Sequence, residues 1–337
     1  MERRLSSYTG CLLGLAAGDG LGHGTGTVNG FLPTSAYTQM AAYGCNGLML
    51  GLTRGQLSGT MAPPVRYVAM ALCEWAALQL WWEPKIRCWI SRSDRMNYRR
   101  CSEPEILDVM SAGAQGTMED SASVLSGPGA LMTAAAVGLF FDPERLPRQE
   151  IQRLGAEAAA LTHGDPAAFL SGAALAHLLN HIVWDGVTEL DALVRETGAM
   201  IRSRFAREYH GARSIHARMR FVRYLARRKR ADALECFAPG TAMEVLMGSL
   251  FLCLTAEDVR TAMETAAKWS PAGAAVVGAI LGAVHGEEAL PKQWLECLEC
   301  GSVLRELAED MFRGCPMMMG SKVFDVEWDA KYVSPEL

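Results

Sequence analysis

Acidic residues are missing from two long stretches of this chain: Ala36–Leu57 and Ala266–His285 contain no Asp and no Glu. A hard dication is held by oxygen ligands, carboxylates foremost, so neither stretch can offer one a carboxylate. Also missing are a Gly/Ser linker, a low-complexity tract and a short internal repeat. Length alone would suggest about two domains, but nothing in the 337 residues marks a boundary. One domain over 1–337 is expected, with its core at roughly 8–300 and a C-terminal extension at 301–337. Strand signals are sparse. No secretory leader is expected, because Met1-Glu2-Arg3-Arg4 precedes a stretch of Gly and small residues that Asp19 interrupts, and no membrane span is expected. The ten cysteines are scattered, several at apolar helical positions (Cys11, Cys45, Cys73, Cys253). That usage points to reduced, buried thiols in a cytoplasm, not to a disulfide framework.

What is present is a composition able to bury a large core, 50% hydrophobic and 20% charged. The net charge of −5 gives no global pull toward nucleic acid or an anionic membrane. Apolar spacing is mostly helical. Leu154, Ala158, Leu161 and Ala168, Ala173, Leu175, Leu178, Leu179 fit two helices split by Gly164-Asp165-Pro166, with Asp165 as N-cap and Pro166 at the first helical position. Met243–Leu254 and Thr255–Ala267 form a second pair with Thr255 as the expected N-cap, and Leu190–Tyr209 a further amphipathic helix. The basic run Arg218–Arg230 interleaves charge with Phe221, Val222, Tyr224 and Leu225. It is expected to be a solvated helix face rather than a nucleic-acid or acidic-partner patch. An all-α fold follows.

Six motifs in order carry a family resemblance. Gly10–Gly22 reads GCLLGLAAGDGLG. Ser35-Ala36-Tyr37-Thr38-Gln39-Met40 and Leu125-Ser126-Gly127-Pro128-Gly129-Ala130-Leu131-Met132-Thr133 follow it. Thr162-His163-Gly164-Asp165-Pro166, Lys268–Ala275 and Gly286–Trp294 complete the set. Their order and spacing resemble the ADP-ribosylglycohydrolase (dinitrogenase-reductase-activating glycohydrolase) family over roughly residues 8–300. The resemblance implies a compact orthogonal helical fold and cleavage of a glycosidic bond to ADP-ribose, with two Mg²⁺ ions held by carboxylates and hydroxyls that activate water and neutralise developing charge.

The carboxylates that the resemblance calls for are absent. The Asp-Asp pair of the first metal motif is Ala36-Tyr37, and the D-S-D-T unit of the second is Trp269-Ser270-Pro271-Ala272. The family's early Glu has no match in His23–Pro33. Ser35, Thr38 and Ser270 remain as oxygen donors, and neutral hydroxyls compete poorly with bulk water for Mg²⁺. No metal and no other cofactor is therefore expected, with Ser35, Ala36, Tyr37, Trp269, Pro271 and Ala272 at degenerate metal positions and no catalytic residue. Asp19 in Gly18-Asp19-Gly20 is expected to be a structural cap of backbone amides. His163 is expected to satisfy a helix end or a buried backbone group, with ligand contact as the alternative. The Ser126–Gly129 loop can present amides to a phosphate, although Pro128 removes one of them and Thr133 replaces the family's Arg. Ser126, Gly127, Gly129 and His163 are the candidate ligand contacts, with Tyr37 and Trp269 beside the vacated metal positions. Cys297-x-x-Cys300 has no second pair and is expected on a helix face. Met317-Met318-Met319 is expected to be flexible apolar filler. The chain is accordingly expected to bind a weak ADP-ribose-like ligand or a protein partner. Its rivals are a working glycohydrolase with an altered site and a structural subunit.

Overall fold

The computed structural model describes residues 4–24, 30–85, 87–100, 103–113, 116–228 and 231–333. Among them, regular structure is helical apart from one isolated bridge between Leu32 and Leu298. The chain is all-α, as expected.

Helix α1 (Leu5–Gly22) is apolar on every side and buried from Ser7 to Leu21, the pattern of a helix at the centre of a core. It is followed by α2 (Ala36–Ser58) and α3 (Pro64–Gln79), then the short α4 (Asp94–Asn97) and α5 (Pro104–Ser111). The middle of the chain stacks α6 (Ala130–Phe140), α7 (Arg148–Ala160) and α8 (Pro166–Asp185). Asp165 caps α8, its carboxylate accepting from Ala168 N at 3.0 Å, and Pro166 opens the helix. Next come α9 (Leu190–Phe205), α10 (Gly211–Arg227), α11 (Ala242–Thr255), α12 (Val259–Trp269) and α13 (Pro271–His285). Helices α14 (Lys292–Cys297), α15 (Gly301–Arg313) and α16 (Val326–Tyr332) complete the order.

The cap assigned to Thr255 is corrected. Thr255 is the last residue of α11 and its hydroxyl donates to the Phe251 carbonyl one turn back. Asp258 caps α12 instead, accepting from Thr261 N at 2.8 Å. Carboxylate and hydroxyl both cap well, so a Thr and an Asp three residues apart left the boundary open by one turn. Likewise α9 stops at Phe205, four residues before Tyr209.

The core is organised by the meeting of α1 and α13. Small residues recur every fourth position on one face of each helix. They face each other in antiparallel register: Gly10 against Gly282, Gly14 against Gly278 and Gly18 against Ala274. A Cβ at Gly14 would stand 2.2 Å from the Gly278 carbonyl oxygen, and one at Gly278 only 1.9 Å from that of Gly14. The two backbones therefore touch directly. This contact brings the C-terminal end of α1 against the N-terminal end of α13, where a Cβ on Gly22 would fall 2.3 Å from Pro271 Cα.

The expectation of no span-like run needs qualification. Helix α8 has the length and apolar composition of a membrane span, but 83% of that window is buried within the protein, so its apolar surface serves the core. The basic run lies mostly on α10, whose Met219, Val222 and Leu225 are buried. Arg223 and Arg227 pair with Asp191 at 2.7 and 2.8 Å, and Arg218 pairs with Glu244. Lys229 and Arg230 lie outside the described residues. The nine described cysteines are all free thiols, and burial pushes Cys11 up to about 12; Cys101 lies outside the described residues. Cys297 ends α14, whereas Cys300 is buried beside Thr34. Of the three methionines, Met317 is buried and Met318 and Met319 are exposed.

Candidate functional site

The site is built where α1, α2 and α13 converge. Asp19 lies in the last turn of α1, not in a loop, and is fully buried. Its carboxylate accepts from Ser35 N and Ser35 Oγ, both at 2.7 Å, from Thr38 N at 3.1 Å and from Thr38 Oγ1 at 2.6 Å. The His23 ring stands 3.2 Å away on the solvent side. Burial alone would push the Asp19 pKa up. The hydrogen bond and charge of His23, with the Thr38 and Ser35 hydroxyls, outweigh it and hold the carboxyl below its usual range. The same hydrogen bond raises His23 against the opposing effect of burial. Asp19 thus caps the amides of α2 from outside that helix, the role expected for it.

Every hydroxyl surviving from the two metal motifs is engaged. Ser35 and Thr38 donate to Asp19, and Ser35 Oγ also accepts from Tyr37 N at 3.1 Å as the N-cap of α2. Ser270 Oγ accepts from Gly273 N at 3.1 Å as the N-cap of α13. Pro271 opens that helix against Gly22, and Ala36 and Ala272 are buried without polar side-chain atoms. A second carboxylate, Glu299, accepts from Thr34 N at 2.7 Å and pairs with Arg100. A pair of magnesium ions requires several open carboxylate oxygens in near-octahedral array. The residues present do not fit such a centre.

The ligand-contact candidates fall into two groups. Gly127, Gly129, His163 and Tyr37 come together around a residue the sequence did not single out, Glu103. Tyr37 Oη lies 3.4 Å from Glu103 Oε1, and His163 Nε2 lies 3.8 Å from Glu103 Oε2. The loop glycines make this approach possible: a Cβ at Gly127 would be 2.6 Å from Glu103 Oε2, and one at Gly129 2.9 Å from His163 Cε1. His163 is buried, its Nδ1 2.7 Å from Thr162 Oγ1 and its Nε2 without a hydrogen-bond partner. Ser126 continues the same loop, its carbonyl accepting from Ala242 N at 2.8 Å. Trp269 is placed differently. Its ring covers Gly248 and Gly273 in the groove between α11 and α13, and its indole N–H donates to the Phe237 carbonyl at 3.1 Å. Thr133 is buried and donates to the Ala158 carbonyl, so it extends nothing toward the loop. The one sequence signal for Glu103 was the Glu-Pro pair opening α5, which marks a helix start but says nothing of which cavity the acid faces.

A family model for ADP-ribosylglycohydrolase matches residues 1–319, and the chain belongs to that family. Among solved structures, it is similar to one described as an ADP-ribosylglycohydrolase-related protein complex. The two share 20% identity, cover 93% of this chain and 99% of that one, and superpose with a TM-score of 0.61. No curated protein matches.

Proposed function

We propose that this ADP-ribosylglycohydrolase-family protein has lost Mg²⁺-dependent hydrolysis and acts as a cytoplasmic binding protein, taking an ADP-ribose-like ligand weakly in the old cleft or docking a protein partner. What carries the reading is the state of Ser35 and Thr38. The hydroxyls left from the first metal motif both donate to the buried Asp19 carboxylate, and no acid stands in Ala36–Leu57 or Ala266–His285 to replace the missing ligands. The cleft retains shape-forming groups, Gly127 and Gly129 around His163, with Tyr37 offering a ring for stacking. It also contains Glu103, whose negative charge opposes a diphosphate. Nucleic acid is not the proposed partner, because Arg218, Arg223 and Arg227 of the basic helix are already paired with acids.

ADP-ribose should bind with a dissociation constant of roughly 100 μM or weaker, about −5.5 kcal/mol at best, and Mg²⁺ should not strengthen it. Calorimetry with and without Mg²⁺ measures both. Micromolar binding tightened by Mg²⁺, or anomalous scattering from a Mn²⁺ ion liganded by Ser35, Thr38 or Ser270, would replace this reading with a working hydrolase.

A further inference from the structure

Helices α8 and α9 carry a side-chain cluster that the cleft does not use. His177 and His181 stand one turn apart on α8, so their rings leave the same face, with centroids 4.5 Å apart. Glu196 of α9 approaches them, and one ligand atom from each of the three lies within 4.8 Å of the other two. The two rings are held from behind at Nδ1. The Gln152 amide is 2.9 Å from His177 Nδ1, and the Asp185 carboxylate is 2.8 Å from His181 Nδ1. Asp185 is fixed in turn by Arg148, 2.7 Å from each carboxylate oxygen. His177 is buried, and its Nε2 has no hydrogen-bond partner.

From this arrangement we infer that His177, His181 and Glu196 form a binding site for a transition-metal dication of the zinc class. Two imidazoles and one carboxylate are a donor set suited to such ions, with a fourth position left for water. Imidazole ligands characteristically donate their second ring N–H to a carboxylate or carbonyl, which fixes ring orientation and tautomer. Asp185 is placed to do this for His181. The Gln152 carbonyl oxygen, buried and without a partner, does the same for His177 once its amide is turned over, leaving the Nε2 lone pair for the ion. Donor atoms around a tetrahedral zinc stand about 3.3 Å apart, so the cluster must contract. Glu196 is exposed and can swing inward, and the His181 side chain, 12% exposed, opens a path for entry. The site lies on α8 and α9, apart from the cleft residues, and does not depend on the function proposed for them.

The test uses the full chain stripped with chelator. Zn²⁺ is titrated against a chromophoric competitor, and Co²⁺ binding is followed by its absorption spectrum. One ion should bind per chain in the micromolar range or tighter, raising the melting temperature. Glu196→Gln should weaken binding by at least tenfold, and His181→Gln should abolish both binding and the thermal shift. Metal-free melting of the two variants shows whether they still fold; Glu196 is exposed, so its variant provides a readout even if His181→Gln does not fold. Absence of saturable binding overturns the site. So does equal affinity in wild type and Glu196→Gln, or a Co²⁺ spectrum with thiolate charge transfer, which would place the ion on cysteine.

Discussion

Asp19 ties the end of α1 to the start of α2, and its removal has a definite cost. Asp19→Ala would leave the Ser35 and Thr38 amides and hydroxyls without their acceptor in a buried site. Denaturant unfolding should show a loss of about 3 kcal/mol or more. The pair also predicts a pH profile. The Asp19 pKa is lowered on folding, so its stabilisation is present above the unfolded value of about 3.9 and is lost as pH falls through the folded value. The His23 pKa is raised, so its contribution is complete below about 6.5 and is lost as pH rises through the folded value. The urea midpoint should therefore be highest between roughly pH 4 and 6.5 and fall toward pH 8. His23→Gln should remove that fall and flatten the acid limb, because the ring that holds the Asp19 pKa down is gone. A wild-type midpoint unchanged from pH 5 to 8 would contradict the coupling. The capping role of Asp19 was legible from its neighbouring glycines. Its hold on both hydroxyls of the first metal motif was not, because sequence spacing does not say which hydroxyl meets which carboxylate across two helices.

At the scale of elements, the α1–α13 contact is the part of the fold least tolerant of change. Gly14→Ala puts a methyl 2.2 Å from the Gly278 carbonyl oxygen, and no flexible side chain is there to yield. The helices must separate along their length, and a loss of more than about 3 kcal/mol or failure to fold is expected. Gly240→Ala, with nothing within 4 Å, should stay within about 0.5 kcal/mol, so comparing the two melting curves isolates the crossing. The basic helix makes a graded prediction. Arg228 lies on the Tyr224 ring and forms part of the exposed face, so Arg228→Glu should change stability by no more than about 1 kcal/mol. Arg223→Glu should cost more, since it sets an acid against Asp191 at a position only 12% exposed. The helical period of Phe221, Val222 and Leu225 revealed the buried side of α10. Its partners Asp191 and Glu244 come from α9 and α11 and had no local signal.

At the scale of the molecule, the C-terminus is structural beyond the point where the family match ends at residue 319. Trp328 of α16 is fully buried, its indole N–H donating to Thr53 Oγ1 of α2 at 2.9 Å. Tyr332, also buried, donates to Asp310 at 2.9 Å and accepts from Trp89 Nε1 at 3.0 Å. Trp328→Ala should therefore destabilise the whole protein by about 3–5 kcal/mol. Calorimetry should show one lowered transition; a separate minor transition with the main one unmoved would make α16 an independent appendage.

The sequence by itself determined the helical character of the chain, since apolar period and caps such as Asp165-Pro166 are local properties. It also determined which side chains stand at the metal-motif positions, because Ala36, Tyr37, Trp269, Pro271 and Ala272 have no carboxylate in any conformation. Only the tertiary structure decided how the remaining groups are used. It committed Ser35 and Thr38 to Asp19, seated Trp269 on Gly248 and Gly273, and set Glu103 beside His163 across 60 residues of chain. It likewise joined His177 and His181, one turn apart and readable as a pair, to a glutamate on the next helix. Contacts of that kind depend on how helices cross, and here backbone contact between glycines of α1 and α13 sets the end of α1, whose Asp19 holds Ser35 and Thr38, against the start of α13.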